Sequence, residues 1–108
     1  MHKVLFLPGA GGSPDFWKPV GSRLSADWPK FYFGWPGLGH QPHDPAIASL
    51  DDLVQLVFRE VEVPVDLVAQ SMGGVIAAHV ALARPSLVRR MVLCVTSGGV
   101  DMVGLGAA

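Results

Sequence analysis

The most informative stretch of this sequence is Val65-Asp66-Leu67-Val68-Ala69-Gln70-Ser71-Met72-Gly73-Gly74. An apolar run leads into a turn with the pattern small-x-Ser-x-Gly, and a helix-compatible apolar run follows at 75–83. This order of strand, sharp turn and helix holds a serine at an elbow with its hydroxyl clear of the sheet. Such a turn needs small neighbours, which Ala69 and Gly73 provide. The plainer interpretation is a serine that caps the N-terminus of a buried helix.

The rest of the chain continues the alternation of strand and helix. Strands are predicted at 3–7, 30–33, 64–69 and 88–95, and helices at 14–25, 50–61 and 74–84. Continuous apolar runs are typical of parallel strands that are buried on both faces. The sequence therefore predicts one α/β domain over residues 1–108, a three-layer α/β/α arrangement around a parallel sheet with right-handed crossovers.

Two of the predicted helices carry start signals. Ser13 precedes Pro14, so Ser13 is expected to cap the helix at 14–25. The apolar stripe of that helix comprises Phe16, Trp17, Val20 and Leu24. Ser49 and Asp52 resemble a capping box at the start of the next helix. The helix after the elbow is apolar nearly all round, so we expect it to be buried.

Composition excludes several classes of function. The net charge is −1 with 16% charged residues, which leaves no basic surface for nucleic acid or anionic membranes. Apolar runs fall well short of the roughly 20 residues of a membrane span, and the start of the chain does not resemble a signal peptide. The single cysteine, Cys94, is interpreted as a core thiol in a reducing compartment. We expect a cytoplasmic protein with no nucleic-acid or membrane partner.

Competing ligand motifs are incomplete. The segment Gly9-Ala10-Gly11-Gly12-Ser13-Pro14 falls short of a dinucleotide fingerprint, because Pro14 replaces the packing glycine. The sequence has no P-loop and no His or Cys cluster with metal-ligand spacing. Trp17, Trp28 and Trp35 are interpreted as core and pocket wall. No metal or cofactor is therefore expected.

Three landmarks stand in a familiar order: Leu7-Pro8-Gly9-Ala10-Gly11-Gly12, Trp35-Pro36-Gly37-Leu38-Gly39-His40 and Ala69-Gln70-Ser71-Met72-Gly73-Gly74. In these the chain resembles the α/β-hydrolase superfamily over residues 3 to about 98. It is similar to the N-terminal half of that fold, and to small carboxylesterases of the pimeloyl-ester esterase type. Pro8 replaces the usual His of the first landmark, and Gly34 or Trp35 replaces the usual Asp of the second. The resemblance implies the sheet order 2-1-3-4, with the first helix on one face and the other two on the opposite face.

The resemblance also implies a serine hydrolase that acts on a small ester or related acyl compound. Ser71 would be the nucleophile, and the backbone N–H groups of Met72 and Ala10 would bind the oxyanion, with Gly11 as an alternative to Ala10. The expected substrate-contacting residues are Gly9, Gly11 and Gln70.

The catalytic base is the missing part of that expectation. The family order places the acid and then the His after the nucleophile. The four histidines are His2, His40, His43 and His79. His79 alone follows Ser71 and is interpreted as a packed helix residue, while His40 and Asp101 are interpreted as solvated loop residues. We therefore expect the chain to lack the catalytic His and the acid, and the isolated chain to lack efficient turnover.

Two further expectations concern what the chain contacts. The alternative to an enzyme is a truncated or non-catalytic α/β domain that binds a small ligand or partner without turnover, with nucleotide binding at Gly9–Gly12 as a third hypothesis. The strand at 88–95 is apolar on both faces and would form a sheet edge, which favours self-association.

Overall fold

The computed structural model describes residues 3–38 and 41–94. Within that part of the chain the elements are β1 Lys3–Leu7, α1 Lys18–Gly21, β2 Lys30–Tyr32, α2 Leu50–Phe58, β3 Val65–Gln70, α3 Met72–Ala83 and β4 Val88–Cys94. A 3-10 turn at Pro85–Leu87 leads into β4. The predicted alternation of strand and helix is confirmed. Val95, the predicted end of the fourth strand, lies outside the described residues.

The sheet is parallel, and its order β2-β1-β3-β4 is the expected one. The central strands β1 and β3 pair from Lys3 opposite Val65 to Leu7 opposite Ala69. Residues 4–7 of β1 are buried, which explains their continuous apolar sequence. This register places the carboxyl ends of β1 and β3 side by side.

The two faces of the sheet pack against different helices, as predicted. On one face, α2 and α3 share the larger apolar core; their buried side chains in it are Leu53, Val54, Val57, Ile76, Ala77 and Val80. The opposite face carries a smaller cluster of Val4, Phe6 and Trp17, the last of which immediately precedes α1. The sheet therefore forms the middle of three layers.

The start of α2 is fixed by the predicted capping box. The Ser49 hydroxyl accepts a hydrogen bond from the Asp52 N–H at 3.3 Å. The Asp52 carboxylate accepts the N–H groups of Ala48 at 2.8 Å and Ser49 at 3.1 Å, and these bonds, that from Ala48 first, lower the pKa of Asp52. The helix ends at Phe58, before the predicted residue 61, because the amides of residues 60 and 61 close tighter turns.

The first helix is much shorter than the predicted 14–25. Helical structure covers Lys18–Gly21, and the residue at its N-cap position is Trp17 rather than Ser13. The Ser13 hydroxyl instead accepts a hydrogen bond from the Asp15 N–H at 3.2 Å, within a separate turn. The apolar spacing predicted a continuous helix where the chain forms successive turns.

Two residues inside the predicted span explain this shortening. Pro19 has no backbone N–H to contribute to a helix, and Gly21 weakens helical structure. Glycine also leaves room here, because a Cβ atom at position 21 would overlap the Tyr32 hydroxyl and displace that side chain. Gly21, which weakens α1, is therefore also the residue that leaves room for Tyr32 of β2.

The prediction that α3 is buried all round is wrong for the described part of the chain. Its buried side faces the sheet and α2, whereas Leu82 is 82% exposed and His79, expected to be packed, is also exposed. A helix that is apolar on every side has no stripe that identifies the face toward the core. The sequence therefore could not say which side of α3 the described structure leaves uncovered.

Strand β4 forms one edge of the sheet. Three consecutive apolar side chains along it are exposed: Met91 at 38%, Val92 at 52% and Leu93 at 41%. An open edge with exposed apolar side chains is a template for pairing with another strand. We propose that two copies of the 108-residue chain associate through β4.

Val92→Lys should weaken this association, because a charge on the edge strand would be desolvated on pairing. Light scattering coupled to size-exclusion chromatography should show the mass of the purified chain falling toward that of one copy. Val63→Lys is the matched control, because Val63 is also 52% exposed but lies before β3. A parent chain that is monomeric at all concentrations would contradict the proposal.

Candidate active site

The elbow after β3 has the predicted strained geometry. Ser71 has φ 52° and ψ −120°, and among the described non-glycine residues no other has a positive φ. Such a conformation costs about 1–3 kcal/mol and persists where the surroundings determine it. Here the Ser71 N–H donates to the Cys94 carbonyl at 3.0 Å, and Met72 immediately begins α3. The serine is thus held between the end of β4 and the start of a helix.

Gly73 allows the first turn of α3 to approach the end of β1. A Cβ atom at Gly73 would lie 2.5 Å from the Leu7 carbonyl oxygen and 2.6 Å from that of Pro8. These are backbone atoms, so no side-chain rotation could relieve the overlap. Of the two small residues predicted around Ser71, Gly73 is therefore required by a helix–strand contact.

The two carbonyl groups that approach Gly73 each accept a hydrogen bond from a buried tryptophan. Trp17 Nε1 donates to the Leu7 carbonyl at 3.1 Å, and Trp35 Nε1 donates to the Pro8 carbonyl at 2.8 Å. Trp35 is completely buried, so its N–H needs a partner. The prediction that these tryptophans form the core and the pocket wall is incomplete, because their indole N–H groups also hold the loop that follows β1.

The loop after β1 is tied directly to the elbow. The Gly9 N–H donates to Gln70 Oε1 at 2.9 Å, and the Gly12 N–H donates to the Gly9 carbonyl at 3.1 Å. Ala10 and Gly11 form the exposed tip of this turn. Since the Gly9 N–H is already engaged, Ala10 and Gly11 are better candidates for oxyanion donors.

A cleft of about 280 Å³ joins these elements, and its lining residues are Gly9, Ala10, Gly11, Gly12, Phe16, Gln70 and Ser71. The structure therefore brings together the predicted residues of the loop and elbow, while Met72 lies at the adjacent helix start. Clefts of about 420 and 430 Å³ lie elsewhere, one near Lys3 and one along β2. We assign the candidate site to the smaller cleft, because open α/β sheets bind ligands at the carboxyl ends of their strands.

Phe16 is the site residue that the sequence analysis missed. It was assigned to a helical stripe, yet its side chain is 47% exposed and lines the cleft. Its ring meets Trp17 edge-on, with centroids 5.2 Å apart. The signal was its position between the glycine loop and Trp17, but the overlong helix prediction obscured it.

Two of the four histidines, His43 and His79, lie within the described residues. His79 is exposed on α3, about 12 Å along the helix from Ser71 at about 1.5 Å per residue. His43 is exposed and approaches Gly37 in the loop after β2. His2, His40 and Asp101 lie outside the described residues. Across residues 3–38 and 41–94, no group of three or more His, Cys, Asp or Glu side chains is arranged to hold a metal.

The helices of residues 3–38 and 41–94 were also compared with the dimensions of a bilayer. None combines the length and the apolar character that crossing a membrane requires.

Comparison of the sequence with known proteins identifies relatives. The sequence profile of the alpha/beta hydrolase family matches residues 4–108. The chain is 31% identical over 115 positions to the pimeloyl-[acyl-carrier protein] methyl ester esterase of Pseudoalteromonas atlantica, covering 90% of this chain and 43% of that protein. For the protein of the same name from Neisseria meningitidis serogroup C, identity is 28% over 97 positions, covering 90% and 37%. The chain thus spans less than half the length of these relatives.

Solved structures resemble the same arrangement of elements. A marine microorganism esterase superposes with a TM-score of 0.74 at 21% identity, covering 85% of this chain and 36% of that one. The monoacylglycerol lipase of Paleococcus ferrophilus gives 0.73 at 21% identity, covering 94% and 44%. At this identity, the likeness establishes the fold.

Gly73→Ala should destabilise the protein even though alanine favours helix. The gain in helix propensity is up to about 1 kcal/mol, whereas overpacking against fixed backbone costs about 1–3 kcal/mol. We expect a net loss in the free energy of unfolding, measured by urea denaturation. Gly11→Ala is the control, because a Cβ there has no neighbour within 4 Å. Equal stability of the two variants would show that α3 can shift away from β1.

Trp35→Phe should leave the buried Pro8 carbonyl without its indole donor. The expected loss is about 1–3 kcal/mol in the free energy of unfolding, the usual cost of an unsatisfied buried group. Phe33→Leu alters the aromatic stack on Trp35, in which ring centroids are 5.4 Å apart, without removing a hydrogen bond, and serves as the control for lost packing. A loss below about 0.5 kcal/mol for Trp35→Phe would mean that the hydrogen bond is dispensable.

Proposed function

The chain belongs to the α/β-hydrolase family, and we propose that it carries the nucleophile and oxyanion-binding backbone of a serine esterase. The observation that carries this proposal is the position of Ser71. Its strained turn lies between the end of β3 and the start of α3, and it lines a cleft formed largely by the backbone of Gly9–Gly12. A strained serine beside a concave backbone surface is the arrangement that acyl transfer requires.

In the proposed reaction, Ser71 Oγ attacks the ester carbonyl carbon as its proton passes to a general base. The carbonyl oxygen becomes an oxyanion. Collapse of this intermediate breaks the bond to the alcohol, which leaves with the proton from the base. Water then attacks the acyl-enzyme with the help of the same base, and this releases the acid and restores Ser71.

Two backbone donors are proposed for the oxyanion. Met72 is the first residue of α3, and the N–H groups of a first helical turn have no carbonyl partner within the helix. Ala10 supplies the second donor, because the preceding Gly9 N–H is held by Gln70. The positive end of the α3 dipole favours the same negative charge.

We propose that the base and its carboxylate partner are not among these 108 residues. The family order places both after the nucleophile, and the single histidine after Ser71 is exposed on α3. A serine hydroxyl without a positioned base is a weak nucleophile. The same observation favours the second candidate function, a non-catalytic α/β domain that binds a small ligand without turnover.

The substrate is proposed to be a small ester or related acyl compound. The cleft beside Ser71 holds about 280 Å³, and Phe16 is its one large apolar lining side chain in the described structure. A short acyl or alkyl group could pack against that ring while the ester carbonyl meets the backbone donors.

We also propose a cytoplasmic location, because a chain with one cysteine cannot form an internal disulfide. Cell fractionation would test this location.

A fluorophosphonate probe should label Ser71 in the protein expressed from its complete open reading frame, because the probe reacts with an activated serine. Mass spectrometry should locate the adduct on Ser71, and Ser71→Ala should abolish both labelling and hydrolysis of p-nitrophenyl acetate. Ser86→Ala, in the exposed turn before β4, should leave both unchanged. The isolated 108-residue chain should hydrolyse this ester far below the common range of about 1–10³ per second.

The outcomes separate the two candidate functions. Labelling that survives Ser71→Ala would refute Ser71 as the nucleophile. A folded complete protein with no labelling and no hydrolysis would favour the non-catalytic binding domain. Efficient Ser71-dependent turnover by the isolated chain would show that its own residues supply the base.

A further inference from the structure

Gln70 links the elbow to the loop after β1 across the sheet. It is the last residue of β3 and directly precedes Ser71. Its Oε1 accepts the Gly9 N–H at 2.9 Å, a partly buried contact between residues 61 positions apart in sequence. The resemblance to the family implied that Gln70 contacts substrate, but its carbonyl oxygen is already used within the protein.

Gln70 and Ser71 pack directly against the backbone of Gly9. A Cβ atom at Gly9 would lie 2.7 Å from Gln70 Oε1 and 3.2 Å from the Ser71 Cβ. The two carbonyls before it, those of Leu7 and Pro8, are held by the two indoles. Three successive backbone groups are thus held by side chains, and the last of them by the residue next to the nucleophile.

We propose that Gln70 is a positioning residue for oxyanion binding, an inference that rests on the proposed esterase function. By holding the Gly9 N–H, Gln70 sets the orientation of the next peptide group, whose N–H belongs to Ala10. That N–H then converges with the Met72 N–H on the position of the oxyanion. Gln70 therefore acts through the loop rather than by contact with substrate.

The neutral amide is the feature that suits this role. A glutamate at position 70 could accept the same N–H, but its negative charge would lie beside the developing oxyanion and oppose it. A methionine would match the length of the side chain without a comparable acceptor. Gln70→Glu and Gln70→Met therefore separate the loss of the hydrogen bond from the effect of charge.

The test uses the protein expressed from its complete open reading frame, with these two variants and Gln55→Met as control. Gln55 is exposed on α2, so its replacement should change neither readout. The first readout is hydrogen exchange of the Gly9 amide by NMR, which should accelerate in Gln70→Met and stay slow in Gln70→Glu. This readout reports the hydrogen bond even where turnover is lost.

The second readout is the hydrolysis of p-nitrophenyl acetate. In Gln70→Met, kcat should fall by about tenfold or more, approaching the roughly 10²–10³ lost when an oxyanion donor is removed. KM should change by less than about twofold, since the affected interaction forms in the transition state. For Gln70→Glu, the rate relative to the parent at the same pH should rise as pH falls and the new carboxylate becomes neutral. A purely structural role would not produce that pH-dependent ratio.

Several results would overturn the proposal. One is a kcat for Gln70→Met within about twofold of the parent. Another is a change in Gln70→Met that is confined to KM, as expected for a substrate contact. A third is unchanged hydrogen exchange of the Gly9 amide in Gln70→Met. If Gln70→Met does not fold, Gln70→Glu still tests the proposal. A rate of Gln70→Glu relative to the parent that does not change with pH would then contradict it. Absence of fluorophosphonate labelling in the folded parent would instead refute the esterase function, and the positioning role with it.

Discussion

The close contact between the first turn of α3 and the end of β1 holds the elbow against the centre of the sheet. Gly73 lies so close to the Leu7 and Pro8 carbonyls that a single methyl group would overlap them. This closeness places the start of α3 at the carboxyl end of the central strand β1. The chain turns sharply at Ser71, immediately before the helix begins. The glycine at position 73 follows from this packing distance, and the strained Ser71 lies two residues before it.

The energy that sustains the strain comes from the core beneath α3. Strain at one residue costs about 1–3 kcal/mol, whereas burial of one Ile or Val side chain contributes about 1.5–3 kcal/mol. Ile76 and Val80 are both completely buried under the helix, so their packing together outweighs the strain at Ser71. The indole hydrogen bonds keep the opposing strand end in place, so the loop cannot relax away from the elbow.

The described structure combines a cleft beside Ser71 with an open sheet edge at β4. The loop, the elbow and the cleft lie at the carboxyl ends of β1 and β3. Beside them, β4 exposes apolar side chains and α3 exposes Leu82. The chain spans less than half the length of its esterase relatives. These features support the proposal that Ser71 needs a base from outside the 108 residues.

The parallel α/β fold and the elbow could be predicted from the sequence, because buried strands need continuous apolar runs and a sharp turn needs small residues. The sheet order and the faces on which the helices lie came from the family resemblance. The capping box of Ser49 and Asp52 could also be predicted, because capping involves residues that are close in sequence. The short length of α1, in which Gly21 leaves room for the Tyr32 side chain, and the exposed side of α3 became known only from the three-dimensional structure. The same holds for the place of Phe16 and the partner of Gln70. Those features depend on contacts between residues far apart in sequence, which local patterns do not encode.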